Sequence, residues 1–95
     1  MLEIRPDNFA RWFKGLRDRQ SKARIQARID HLSLGNFGDC EPIGGGLSEM
    51  RIHYGPGYRV YFVQRGAEIV VLLAGGSKRT QGKDIFKAKT LAADL

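Results

Sequence analysis

The chain is poor in the residues that build disulfides, metal sites and membrane spans. Cys40 is its only cysteine and it has two histidines, so no internal disulfide is possible, and we predict neither a metal nor a cofactor. The longest apolar run, residues 69–74, is far shorter than the roughly 20 residues that cross a bilayer. The first residues contain no apolar run of signal-peptide length. We therefore expect a cytoplasmic protein without membrane contact.

Negative charge is also scarce relative to positive charge. The chain has sixteen Lys and Arg residues and ten Asp and Glu residues, which gives a formal net charge of +6 at pH 7. A basic domain of this size suits a polyanionic partner, either a nucleic acid or an acidic protein. A solvated cationic surface explains the same charge, so composition alone leaves the alternatives open.

The hydrophobic pattern changes from a helical to a strand period along the chain. An alternating segment is followed by two segments with helical spacing, then by a glycine-rich loop, three strands and a last helix. These predicted elements span residues 2–5, 9–16, 21–34, 36–46, 47–54, 58–64, 68–74 and 81–93. The order β-α-α-β-β-β-α predicts one α+β domain over residues 1–95, with a helical hairpin packed on a small antiparallel sheet.

The first predicted β-hairpin collects polar residues on one side of the sheet. Side chains alternate along a strand, so Glu49, Arg51 and His53 share a side, which Arg59 and Tyr61 join from the second strand. If the turn closes symmetrically, His53 lies opposite Arg59 and Arg51 lies opposite Tyr61. Two guanidiniums can hold a phosphate, a histidine can carry a proton, and a tyrosine can stack on a base. The set suits attack of an RNA 2′-hydroxyl on its own phosphate; a polar face without function is the alternative.

A second basic cluster follows the last predicted strand. The segment Gly75-Gly76-Ser77-Lys78-Arg79 leads from the strands into the last helix, whose N-terminal amides favour an anion. It lacks the glycine–lysine spacing of a Walker P-loop. We expect Lys78 or Arg79 to stabilise negative charge in a transition state.

Two residues outside these clusters are further candidates for RNA contact. Arg28 lies on a basic helix face, which binds RNA or an acidic partner or is simply solvated. Phe86 on the last helix belongs either to the core or to a surface on which a base stacks.

Four motifs occur in an order that resembles one known family. They are Gly35-Asn36-Phe37-Gly38-Asp39, the segment 44–51, the run Gly55-Pro56-Gly57-Tyr58-Arg59-Val60-Tyr61-Phe62, and Gly75-Gly76-Ser77-Lys78. Together they resemble the HigB-like addiction-module killer proteins, a branch of the RelE/ParE toxin superfamily. The resemblance extends over residues 9–95.

The resemblance implies a compact fold of paired helices on an antiparallel sheet and an endoribonuclease that cuts mRNA at the ribosome. It also implies an antitoxin partner, with which the toxin binds promoter DNA. Arg51, Arg59 and Lys78 match the basic active-site positions of the family, whereas His53, Tyr61 and Arg79 come from the strand argument. The chain lacks the C-terminal Tyr or His that some RelE-type ribonucleases use, so the general base stays open.

A second functional class exists within the same superfamily. ParE-like members bind DNA gyrase and are not nucleases, and a non-catalytic binding remnant is a third hypothesis. A gyrase binder needs no phosphate cradle, so Arg51, Arg59 and Lys78 together favour the nuclease. We therefore predict the toxin of a type II toxin–antitoxin system that acts as a metal-independent, ribosome-associated endoribonuclease, with a gyrase-binding toxin as the alternative.

Overall fold

A five-stranded sheet lies between two layers of helix in the computed structural model, which describes residues 2–66 and 69–95. The strands are β1 (Leu2–Ile4), β2 (Cys40–Gly44), β3 (Leu47–Ile52), β4 (Tyr58–Arg65) and β5 (Ile69–Ser77). The helices are α1 (Arg11–Lys14), α2 (Arg19–Ser33) and α3 (Gln81–Ala93). A π-helical turn, Pro6–Ala10, precedes α1, and a 3-10 turn, Lys78–Thr80, precedes α3.

The sheet has the order β1-β5-β4-β3-β2, in which β1 is parallel to β5 and the other neighbours are antiparallel. The predicted fold class, an α+β domain with helices on a mainly antiparallel sheet, is confirmed, and β1 and β2 extend the predicted meander at its edges. The predicted turn residue Ala67 and strand residue Glu68 lie outside the described residues. No helix in the described ranges is long and apolar enough to cross a membrane.

Helix α2 forms because its apolar residues recur at helical spacing and because both ends are capped. The Asp18 side chain accepts a hydrogen bond from a backbone N–H of the first turn. After the helix, Gly35 adopts a φ of +89°, the left-handed conformation in which glycine commonly ends a helix. The residues that α2 buries are Ser21, Ile25, Ile29 and Leu32.

The two faces of the sheet are covered by different helices. The face under the π-helical turn, α1 and α2 is called here the α1–α2 face, and the opposite one the α3 face. The buried residues packed at the α1–α2 face are Phe9, Ile25, Ile29, Leu32, Met50, Ile52, Val60, Phe62, Val70 and Leu72. Those packed at the α3 face are Leu47, Tyr61, Val71, Leu73, Ala74 and Ala88.

Strand β2 lies inside the segment 36–46, so the prediction that this whole segment is a loop is wrong. β2 pairs antiparallel with β3, starting with Cys40 opposite Met50. Pro42 is compatible with pairing because β2 is an edge strand, which needs no N–H on its outer side. The glycines 44–46 all have positive φ and make the tight return to β3. Because a run of glycines is typical of a loop, the short strand β2 was not predicted.

The register of the β3–β4 hairpin also differs from the symmetric prediction. Arg51 lies opposite Arg59, and Glu49 lies opposite Tyr61. The prediction that His53 faces Arg59 is therefore wrong by two residues, and His53 follows the end of β3. A shift of two keeps every side chain on its predicted side of the sheet.

β3 ends at Ile52, and Tyr54 just beyond it is held against α2. Its hydroxyl donates a hydrogen bond of 2.9 Å to Gln20 Oε1. The guanidinium of Arg24 lies over its ring, 4.4 Å from the centroid. Residues 53–57 therefore form the connection, with Gly55 and Gly57 at positive φ.

Candidate functional site

The arginines of β3 and β4 are direct cross-strand partners. Arg51 pairs with Arg59, and Arg59 pairs with Gly76 of β5. The carbonyl of Asp39 accepts a hydrogen bond of 3.0 Å from the Arg51 N–H and extends this line towards β2. We call these four residues the arginine row. It crosses the end of the sheet beside the β3–β4 connection.

Three carboxylates surround the two guanidiniums of the row. Arg51 forms ion pairs with Asp39, Glu41 and Glu49, and its Nε lies 3.3 Å from Glu49 Oε1. The same oxygen lies 3.5 Å from Arg59 Nη1. Within the described ranges, no group of three or more His, Cys, Asp or Glu side chains is arranged to hold a metal ion. A phosphate entering here would have to replace a carboxylate or approach the side of Arg51 that remains exposed.

Glu49 is the buried centre of this network. It is 2% exposed, and its Oε2 accepts a hydrogen bond of 2.7 Å from Gln81 Nε2 in the first turn of α3. A buried carboxylate is costly unless it is paired, and here both guanidiniums and an amide pair it. Glu49 therefore holds Arg59 in place and ties α3 to the sheet. Side-chain alternation placed Glu49 on this side of the strand, but sequence reasoning assigned it no role.

Tyr61 lies beside Glu49 and is fully buried. Burial, together with the negative charges of Glu49 and Asp84, raises the pKa of Tyr61. Its hydroxyl and Arg59 Nε are buried without a hydrogen-bond partner among the residues that the structure describes. The ring has no exposed face, so the geometry does not support the predicted stacking on a base.

His53 reaches the arginine row through Asp39. His53 Nε2 hydrogen-bonds Asp39 Oδ2, while Asp39 Oδ1 lies 3.8 Å from Arg51 Nη1. The hydrogen bond with His53 is the main cause that lowers the pKa of Asp39, and the charge of Arg51 adds to it. Sequence reasoning missed Asp39 because it lies in the segment predicted to be a loop, where no side-chain period orients it.

Lys78 and Arg79 lie at the same end of the sheet and are exposed. The N–H of Lys78 donates a hydrogen bond of 2.8 Å to the carbonyl of Gly57, next to the first residue of β4. The structure thus brings Lys78 to the connection that carries His53. Their roles towards a phosphate stay predictions.

The double glycine before Lys78 belongs to a strand, so the prediction that it leaves the meander is wrong. A Cβ on Gly75 would lie 2.2 Å from Trp12 Cε3, and a Cβ on Gly76 would lie 1.8 Å from Asp84 Oδ2. Close packing on both faces of β5 accounts for both glycines. Asp84 lies in the first turn of α3, and the hydroxyl of Thr80 donates a hydrogen bond to this carboxylate. An acidic side chain thus occupies the region where an anion was predicted.

Of the two remaining candidates, Arg28 contacts the arginine row through backbone carbonyls, and Phe86 lies on α3. Arg28 donates hydrogen bonds to the carbonyls of Arg51, Phe37 and Asp39, and so fastens the segment before β2 to β3. Phe86 is 75% exposed, so it is not a core residue. Stacking of a base on Phe86 stays a prediction.

These observations define a basic α+β domain with a partly neutralised arginine cluster at one end of its sheet. Residues 11–94 match the family described as "Phage derived protein Gp49-like (DUF891)", and the chain belongs to this family. An uncharacterized protein of Haemophilus influenzae is 47% identical over 87 residues, which cover 92% of this chain and 88% of that protein.

The Gp49-like family is associated with toxin–antitoxin systems and is related to the RelE-like toxins. The association implies an antitoxin as a partner. The predicted resemblance is thus confirmed at this level, and the matched family is the Gp49-like one rather than the HigB-like branch named from the motifs.

Proposed function

We propose that this protein is the toxin of a type II toxin–antitoxin system and that it cleaves mRNA as a ribosome-associated endoribonuclease in the cytoplasm. One observation carries the proposal: Arg51 and Arg59 are cross-strand partners, and His53 stands at the edge of their row. Two guanidiniums neutralise the negative charge on the phosphate in the transition state, and an imidazole transfers the proton. The family association supports the toxin role. In complex with its antitoxin, such a toxin would also bind promoter DNA.

In the proposed reaction an RNA 2′-hydroxyl attacks the adjacent phosphorus in line with the departing 5′-oxygen. The O2′–P bond forms as the P–O5′ bond breaks, the hydroxyl proton passes to His53, and the 5′-oxygen takes a proton from water. Arg51 and Arg59 bind the non-bridging oxygens, and Lys78 stabilises the charge that develops there. The products are a 2′,3′-cyclic phosphate and a 5′-hydroxyl end. No metal is required because the cationic side chains provide the charge neutralisation.

In the proposed binding mode the phosphate displaces a carboxylate from Arg51. Glu41 is the candidate, because its side chain is 59% exposed, against 42% for Asp39 and 3% for Glu49. An exposed ion pair contributes only about 0–1 kcal/mol, so a phosphate with two charged oxygens competes with it. Glu49 stays in place and keeps Arg59 oriented.

The decisive experiment induces the protein in bacteria and maps new 5′-hydroxyl ends across the mRNA pool within minutes. The test variant is His53→Ala, because His53 is exposed and its removal leaves the buried network intact. Its matched control is His31→Ala, which removes the other exposed histidine, from the last turn of α2. We expect discrete cuts inside translated frames with the wild type and His31→Ala, and a loss of at least roughly 100-fold with His53→Ala.

Two results would overturn the proposal in different ways. Cuts that persist at the wild-type level in His53→Ala would remove His53 from the reaction. Growth arrest with intact mRNA and gyrase-dependent DNA breaks would place the protein in the ParE-like functional class.

A further inference from the structure

Asp39 joins the two chemical groups of the candidate site with its two carboxylate oxygens. Oδ2 hydrogen-bonds His53 Nε2, and Oδ1 lies 3.8 Å from Arg51 Nη1. Its carbonyl accepts hydrogen bonds from the Arg51 N–H at 3.0 Å and from Arg28 Nη2 at 3.4 Å. The backbone of Asp39 is thus pinned to β3 and to α2, and its side chain points at the imidazole from a fixed place.

The chemistry of this contact determines where the imidazole carries its proton. An ionised carboxylate can only accept hydrogen bonds, and Asp39 is ionised at neutral pH because its pKa is lowered from an already acidic value. A neutral His53 must therefore hold its hydrogen on Nε2, which donates to Asp39. Its Nδ1 is then left with a free lone pair, the state that a general base requires.

We propose that Asp39 is a positioning residue that holds His53 in the Nε2-protonated tautomer, so that Nδ1 is the atom that takes the proton of the RNA 2′-hydroxyl. The inference rests on the proposed ribonuclease function. The link from Asp39 to Arg51 adds a geometric role, because it fixes the distance between the base and the arginine row. Asp39 acts through His53 and does not itself contact the reacting atoms.

The test compares Asp39→Asn with Asp30→Asn. The amide of an asparagine can donate to Nε2 as well as accept from it, so Asp39→Asn permits the other tautomer. Asp30 is an exposed carboxylate on α2, and its replacement makes the same change in net charge away from the row. The tautomer of His53 is measured by long-range ¹H–¹⁵N correlation of the ring nitrogens, which does not depend on activity.

We expect wild-type protein and Asp30→Asn to show the Nε2-protonated tautomer, and Asp39→Asn to gain the Nδ1-protonated form. Cleavage of mRNA by Asp39→Asn should fall at least about 100-fold while Asp30→Asn keeps wild-type activity. A wild-type His53 protonated on Nδ1 would overturn the inference whether or not the protein is a nuclease. Changed tautomer with unchanged cleavage would also overturn it, because His53 would then not need Asp39. If the wild type cleaves no RNA while the expected tautomer is seen, the proposed function fails and the contact itself stands.

Discussion

The two faces of the sheet differ in what they bury. At the α1–α2 face, the strands present an apolar surface, including Met50, Val60 and Phe62, to the helices. At the α3 face the apolar surface covers only part of the strands. Towards the β3–β4 connection it gives way to the buried carboxylate of Glu49 and the side chain of Arg59, which is 12% exposed.

This difference separates stability from chemistry within one small sheet. Removal of apolar area from water stabilises the α1–α2 face without any partner requirement. The charged end of the α3 face is stable only while each buried group keeps its partner, because an unpaired buried charge is strongly unfavourable. A polar end of this kind contributes little to net stability, and it presents Arg51 to solvent where a phosphate can reach it.

The first of two equally large expected effects comes from the double glycine of β5, whose two residues pack against opposite faces of the sheet. In Gly75→Ala the new methyl would meet the Trp12 ring at 2.2 Å, and a packed aromatic ring cannot move aside without disturbing the α1–α2 face. We expect a loss of about 3 kcal/mol in the free energy of unfolding, measured by urea denaturation. Gly76→Ala meets the ends of the Asp84 and Thr80 side chains, which can rotate, and should lose only about 1 kcal/mol.

Gly82→Ala is the control for this pair. A Cβ there has no neighbour within 4 Å, and its backbone φ is not positive. Since alanine favours the helix over glycine, this variant should gain about 0.5–1 kcal/mol. Equal losses in Gly75→Ala and Gly76→Ala would contradict the expectation that the Trp12 side of β5 accepts an added methyl less readily than the Asp84 side.

The second prediction concerns the pair at the centre of the α3 face. Arg59→Met removes one of the guanidiniums that compensate Glu49, and should cost about 3 kcal/mol in the free energy of unfolding. The double variant Glu49→Met/Arg59→Met removes both charges, and should recover most of this loss because apolar groups of similar size replace the pair. Urea denaturation measures the difference in the free energy of unfolding between the two variants, provided that this free energy depends on urea concentration with the same slope in both.

A double variant no more stable than the single one would mean that Arg59 acts through its packing rather than its charge. The prediction also bears on the function. Because an Arg59 variant loses stability, its loss of toxicity alone would not identify a catalytic role, whereas the exposed His53 is free of this ambiguity.

The helices and strands that have a strong local pattern in the sequence were predicted correctly. The period of Ile25, Ile29 and Leu32 predicted α2, and the alternation in β3 and β4 predicted which side chains point to each face. Strand β2 could not be predicted, because its five residues contain a proline and a glycine and border two more glycines. The parallel pairing of β1 with β5 could not be predicted for another reason, since it joins segments that lie far apart in the sequence.

The candidate site was predictable in its composition but not in its geometry. Alternation placed Arg51 and Arg59 on one side, yet it could not show the length of the β3–β4 connection, which sets the register. Asp39 and Glu41 were missed because they lie in or next to β2, which was not predicted, whereas Glu49 was placed on the correct side but given no role. Spacing within β5 likewise could not show that Trp12 and Asp84 occupy the space beside its glycines.

The smallest expected effect concerns Tyr61, at the border between the apolar and charged parts of the α3 face. Its hydroxyl has no partner among the described residues, so Tyr61→Phe should change the free energy of unfolding by no more than about 1 kcal/mol at neutral pH. In the unfolded chain the phenol ionises near pH 10.0, whereas the folded protein raises its pKa. The unfolded state therefore loses its proton first as the pH rises above 10, and the wild type loses stability there. Tyr61→Phe lacks this loss. Urea denaturation at pH 8 and pH 11 should therefore show that the free energy of unfolding of the variant, relative to that of the wild type, is higher at pH 11. An equal difference at both pH values would mean that the buried phenol is better solvated than its position beside Glu49 implies, and that the charged end of the α3 face is less sharply separated from its apolar part.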